Sequence, residues 1–105
     1  MDFIKRLLTP KTKQVLVGSM SVFEAGKSIV IGEGYKFYSI TIQSHHTNDG
    51  IIFIGDVTVN PNNSFKLEPG DTISIDAHNN FVSPLHANSS KSGSVLQYLG
   101  LGEKI

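Results

Sequence analysis

Ile51-Ile52-Phe53-Ile54-Gly55-Asp56-Val57-Thr58-Val59, then Asn60-Pro61-Asn62-Asn63-Ser64, then Phe65-Lys66-Leu67-Glu68-Pro69-Gly70-Asp71-Thr72-Ile73-Ser74-Ile75-Asp76, is the stretch that decides the fold. An apolar strand, a turn, an apolar anchor, a Pro-Gly turn and an alternating strand follow one another with no gap long enough for a helix. Antiparallel β-structure follows from that order. Ile52 and Ile54 share one face and Ile51 and Phe53 the other, so the strand Ile51 to Val59 is apolar on both sides. Such a strand belongs at a sheet centre or beneath another subunit, which makes Phe53 a candidate interface residue. Gly55 suits a bulge where the strand bends, and Leu67 plugs one end of the fold. Pro69-Gly70 reads as a type II turn, with Pro at the first central position and Gly at the left-handed one.

Working outward, Gln14 to Val17, Ser21 to Phe23, Lys27 to Ile31, Lys36 to Gln43, Thr72 to Asp76, Phe81 to Ala87 and Ser94 to Leu99 also read as short strands. They are rich in Val, Ile, Phe, Tyr and Thr, and Gly, Pro and Asn clusters punctuate them. Residues 13–105 are therefore expected to form an antiparallel β-sandwich, jelly-roll-like in arrangement. In Tyr35 to Ser44, alternation puts Tyr38, Ile40 and Ile42 on the core face and Phe37, Ser39, Thr41 and Gln43 opposite. Asp49-Gly50 is expected to close a tight hairpin into Ile51.

Residues 1–12 are expected to form a separate arm. Asp2 can cap a short helical segment in which Phe3, Ile4, Leu7 and Leu8 recur at helical spacing, and Pro10 would end it. Two turns are marginal alone in water, so the arm is expected to fold as an anchor against a partner. Lys5, Arg6, Lys11 and Lys13 against Asp2 give residues 1–13 a net charge of +3, leaving −3 for the remainder of a neutral chain. The expected contact pairs that basic segment with an acidic neighbouring surface.

With 105 residues the chain fits one domain with a real core. Zero net charge gives no global attraction to nucleic acid or to a membrane surface, and neither is expected as a partner. The absence of cysteine excludes disulfides and thiolate metal sites. Lys5-Arg6 splits the apolar residues near the start, so no signal-peptide core is legible there. No apolar run approaches the ~20 residues of a membrane-spanning helix, and a soluble protein is expected.

Chemistry-bearing motifs are weak. Gly26-Lys27-Ser28 matches the end of a phosphate-binding loop, but Ser21 stands where the first glycine belongs and Ile29-Val30-Ile31 reads as strand rather than helix. The segment around Gly26 is expected to be a hairpin turn. His45 and His46 are neighbours that would point to opposite faces of a strand end, while His78 and His86 are far away in sequence, so no metal site is assigned. Asp49, Asp56, Asp71 and Asp76 lie in or beside turns and are expected to cap backbone N–H groups. No nucleophile, base and orienting group can be assembled, so no catalytic residue, cofactor or enzymatic activity is expected.

Ile52 to Val59, Phe65 to Asp76, and Pro84-Leu85-His86-Ala87-Asn88-Ser89-Ser90-Lys91-Ser92-Gly93-Ser94-Val95-Leu96 together resemble small virion structural proteins of tailed bacteriophages. The shared pattern is an apolar strand with Ile-Gly, a Val or Thr strand, an apolar residue two before Pro-Gly, an alternating strand, a strand ending in Ala, and a final Gly-Ser-Val strand. It covers residues 51–98. One departure is Leu85-His86-Ala87, where the family pattern has an aromatic before the Ala, so the plug at that end is smaller. The resemblance implies a capsid decoration, head-fibre-base, tail or baseplate role, with the major capsid protein or other virion proteins as partners. It also implies a homo-oligomer, with a trimer favoured, made in the host cytoplasm and ending in the virion. The competing expectation on the same fold is a carbohydrate-binding or host-attachment module, although the chain has no Trp.

Overall fold

The computed structural model describes residues 14–22, 24–78 and 80–105. Eight strands follow in order: β1 (Gln14–Val22), β2 (Ile29–Val30), β3 (Tyr35–Ser44), β4 (Ile52–Gly55), β5 (Phe65–Leu67), β6 (Thr72–Asp76), β7 (His86–Ser89) and β8 (Ser94–Lys104). No helix occurs among the described residues. The strands form two antiparallel four-stranded sheets, the first in the order β1-β8-β3-β6 and the second in the order β2-β7-β4-β5. The first strand pairs with the eighth, the second with the seventh, the third with the sixth and the fourth with the fifth, while β3·β8 and β4·β7 join these pairs side by side. The expected helical segment Asp2 to Leu8 and the expected boundary after residue 12 lie outside the described residues, as does Phe23.

One apolar cluster draws on both sheets. Ile40, Ile42 and Leu96 come from the first and Ile52, Ile54, Leu67 and Ala87 from the second, with Ile31 and Phe37 beside them. Removing these side chains from water supplies the main drive to fold. β4 is apolar on both faces because it lies inside its sheet, between β7 and β5. Its second face is closed by the chain that follows: Val59 is buried, and a Cβ on Gly55 would meet Val59 Cγ2 at 3.2 Å. The strand accordingly ends at Gly55, and Asp56 to Val59 form a turn instead of the strand expected there. Gly55 sits opposite His86 in regular register.

The ladder irregularity is elsewhere, between Phe37 and Ser39, where Tyr38 is the extra residue against β8. A bulge shifts the side-chain phase by one. Phe37 therefore joins the buried cluster with Ile40 and Ile42, which corrects its assignment to the outer face. Tyr38 is turned out of that cluster, and its OH donates to Glu103 Oε2 at 3.2 Å. The Phe37 ring meets Tyr98 edge-on, with centroids 5.7 Å apart. These two rings occupy the space above glycines, since a Cβ on Gly18 would lie 2.4 Å from Tyr98 and one on Gly100 would lie 2.7 Å from Phe37. Gly18 is thus a packing position within β1, and the strand runs through it rather than breaking there.

The expected hairpins at Gly26 and at Asp49-Gly50 are absent, because the strands flanking each belong to different sheets. Both segments are crossings. At Asn48 the side chain clamps the crossing: Nδ2 donates to Ser44 Oγ at 2.9 Å and to the Val95 carbonyl at 2.7 Å, while Oδ1 accepts from the Val95 N–H at 2.8 Å. Pro69-Gly70 is the expected tight turn. The Asp71 N–H reaches the Glu68 carbonyl at 2.9 Å, and Gly70 has a φ of 87°. The Gly70 N–H donates to the Ser44 carbonyl at 2.9 Å, so the crossing from β5 to β6 is pinned to the end of β3.

Candidate functional site

Alternation along β1 and β8 decides what the first sheet shows to solvent. Leu16, Met20, Val22 and Leu96 turn inward, leaving Val15, Val17, Leu99 and Leu101 on the outside. Val15 lies opposite Leu101 and Val17 opposite Leu99, so the four side chains make one contiguous block. They are 67%, 72%, 52% and 41% exposed, respectively. Single exposed aliphatics are ordinary, but a contiguous block makes this face a candidate site for protein contact. Around it on the same face stand Ser19, Gln97, Thr41, Gln43, Thr72 and Ser74, none of them charged, with Thr41 Oγ1 and Ser74 Oγ hydrogen-bonded at 2.8 Å. A shallow depression of about 310 Å³ lies beside the block, bordered by Val17, Leu99, Thr41, Gln43, Thr72 and Gln97.

Charge on this face lies toward one end, where exposed Asp76 stands opposite Ser39 and Glu103 opposite Lys36. Glu103 is 7% exposed, its Oε1 3.4 Å from Lys36 Nζ and its Oε2 accepting from Tyr38 OH. Lys36 Nζ stands 4.1 Å from the Phe81 ring centroid, and the Tyr38 and Phe81 rings lie 4.4 Å apart. Loss of solvent pushes the Tyr38 phenol above its ordinary value, and the hydrogen bond and negative charge of Glu103 push it further the same way. The group satisfies its own charges and fixes the end of β8 to β3.

A cavity of about 410 Å³ opens between the turn after β2 and the segment before β7. Its walls include Ile31, Phe37, Ile40, Val82, Pro84 and Leu85, and two exposed aromatics, Tyr35 and Phe81, stand at its rim. Its size falls in the range that holds a small ligand.

Elsewhere the polar groups serve the fold. Asp56 Oδ1 accepts from the Thr58 N–H at 2.8 Å and from Thr58 Oγ1 at 2.5 Å, and these bonds hold its carboxyl below the ordinary carboxylate value. Asp71 and Asp76 likewise cap backbone N–H groups, of Glu68 and His78. Ser64 Oγ and His86 Nδ1 are both buried without a hydrogen-bond partner, so they do not bond to one another and no nucleophile–base pair forms there. His45 and His46 do not diverge as expected. The chain turns after Ser44, and their rings stack with centroids 4.5 Å apart. Among the described residues no three potential ligands converge as a metal site would require.

Of the residues singled out from sequence, Phe3, Ile4, Lys5, Arg6, Leu7, Leu8, Lys11 and Lys13 lie outside the described residues. Phe53 is 5% exposed, buried within its own chain between Lys66 and Asn88 of the neighbouring strands. Leu67 is a core residue of β5 opposite Ile52. The block on β1 and β8 was not singled out. Its signal was present in Leu99-Gly100-Leu101-Gly102, where glycine alternates with leucine and the inner positions are the glycines.

No protein-family model, curated protein or solved structure matches this chain.

Proposed function

We propose that this is a non-enzymatic structural protein of a bacteriophage particle, decorating or cementing the capsid as a homo-oligomer through protein–protein contacts. The observation that carries this reading is the exposed aliphatic block on the outer face of the first sheet, with uncharged side chains beside it, a surface with no convergent chemistry, suited to flat packing against protein. The topology supports it. Eight strands that pair first with eighth, second with seventh, third with sixth and fourth with fifth, then divide between two sheets, match a long hairpin rolled upon itself. We therefore take the fold to be a jelly-roll sandwich, an architecture common in viral capsid and lectin domains; the step from that fold to a role is analogy. In this reading the apolar and basic residues of the arm, Phe3 to Leu8 with Lys11 and Lys13, anchor the protein to the major capsid protein or another virion protein.

Mass spectrometry of purified particles tests the assignment. Hundreds of copies per particle are expected for decoration, about a dozen or fewer would move the protein to a tail or portal vertex, and its absence from particles would refute a virion role.

A second reading is a carbohydrate-binding or host-attachment module. It is favoured by the cavity with Tyr35 and Phe81 exposed at its rim, since sugar rings stack on such aromatics. Binding to a glycan array that is lost in Phe81→Ala would establish it in place of the first.

A further inference from the structure

The cavity between the turn after β2 and the segment before β7 reaches the hydrophobic core. Ile31, Phe37 and Ile40 belong to the buried cluster and also line the cavity, and Val82, Pro84 and Leu85 complete its walls. Its volume of about 410 Å³ suits a small molecule. The chemistry of that molecule follows from what the walls can still offer. A hydroxyl-rich ligand held inside would need free donors, yet the Ile31 N–H already donates to the Leu85 carbonyl at 2.9 Å, the Val82 N–H to the Phe37 carbonyl at 2.7 Å and the Tyr35 N–H to the Gly32 carbonyl at 3.1 Å. Pro84 has no N–H to give. Glu33, Tyr35 and Ser83 are exposed, so their polar ends are hydrated by solvent. An ionised ligand fares no better. Lys36, the cation among the lining residues, is paired with Glu103 at 3.4 Å, and an ion pair with exposed Glu33 would be worth little in water.

We propose that this cavity binds a free, neutral alkyl compound, whose chain lies against Ile31, Ile40, Val82 and Leu85 and whose uncharged end faces the mouth. Apolar contact alone holds it, so affinity grows with the length of chain removed from water. The inference goes beyond both functional readings. It needs no virion role, and it concerns the interior of the cavity, whereas a sugar would stack on the aromatics of the rim.

NMR titration of the full chain with the straight-chain alcohols from butanol to octanol tests this. Backbone amide shifts should concentrate on Ile31, Ile40 and Leu85 and spare Val17 and Leu99 on the outer face of the first sheet, and affinity should rise about 4-fold per added methylene. Octanoate and octylammonium carry a similar chain with a charged end, and each should bind about 5-fold or more weakly than octanol, because the charge gives up water without gaining a partner. Val82→Asp sets a carboxylate in the apolar wall and should weaken octanol binding about 10-fold or more. Val82 is half-buried, so Ile105→Asp, at a lining position 80% exposed, makes the same change without threatening the fold and should weaken binding about 3-fold. Amide shifts absent from the cavity or centred on Val17 and Leu99, an affinity independent of chain length, a charged compound binding as tightly as octanol, or a folded Ile105→Asp variant that binds like the parent would each overturn the proposal.

Discussion

Replacing Gly70 with valine isolates a backbone effect from a packing effect. Gly70 has a φ of 87°, and nothing lies within 4 Å of where its Cβ would stand. A side chain there meets no neighbour, and the cost is the left-handed backbone itself, about 1–2 kcal/mol for an ordinary residue and at or above the top of that range for a β-branched one. The turn cannot relax cheaply. The Gly70 N–H is held by the Ser44 carbonyl, the Asp71 carbonyl accepts from the Ser44 N–H, and the Asp71 N–H closes the turn on Glu68. β6 takes its register on β3 from this point, with Ile73 opposite Ile42 and Ile75 opposite Ile40. A slip of one residue would turn both isoleucines outward. A loss near 2 kcal/mol corresponds to a fall of roughly 1 M in the urea midpoint, or on the order of 10 °C in Tm, for a domain of this size. Gly70→Asn should lose less, because asparagine tolerates the left-handed region. Asn63→Ser, in an exposed turn, should stay within about 0.5 kcal/mol. Urea denaturation followed by circular dichroism measures all three. A Gly70→Val midpoint equal to that of the parent would refute the argument that backbone conformation at this turn sets the register of β6.

Phe53→Asp should abolish cooperative folding or cost more than about 3 kcal/mol, because the side chain is buried between its own strands; a folded variant with the parent's midpoint would contradict that placement. Asn48→Ala removes the two hydrogen bonds to Val95 that tie the β3–β4 crossing to β8, and a third to Ser44 of β3, and should cost about 1–3 kcal/mol by chemical denaturation. Asp56 titrates below its ordinary value of 3.8 in the folded chain, so its contribution is present above that value and is lost as pH falls through the lower folded value. Asp56→Asn should therefore be less stable than the parent at neutral pH, and the gap should close in melts carried out below pH 3.8; a gap that is constant with pH would show that the carboxylate charge is not involved.

The β-class, most strand positions and the Pro-Gly turn were legible because each rests on local chemistry: period-two alternation, β-branched residues, and a proline–glycine pair with one preferred geometry. What was not legible depends on contacts distant in sequence. The bulge at Tyr38 has no local signature, and without it the alternation in β3 puts Phe37 on the wrong face. The turns at Gly26 and Asp49-Gly50 carry hairpin chemistry, but their strands find better partners far along the chain, β1 and β3 on opposite sides of β8. The outward block on β1 and β8 was hidden for the same reason. A Val-Leu-Val run shows no preferred face until Tyr98 is known to lie over Gly18 and Phe37 over Gly100, filling the inner side with rings and leaving valine and leucine for the surface. An aromatic pair set over glycines is thus the structural cause of the exposed face. Widening Gly100 to alanine should press on Phe37 and on the Ser39 carbonyl, 2.6 Å from the added carbon, and so disturb the core and the outer face together. Core and outer face are coupled through the two sides of one strand.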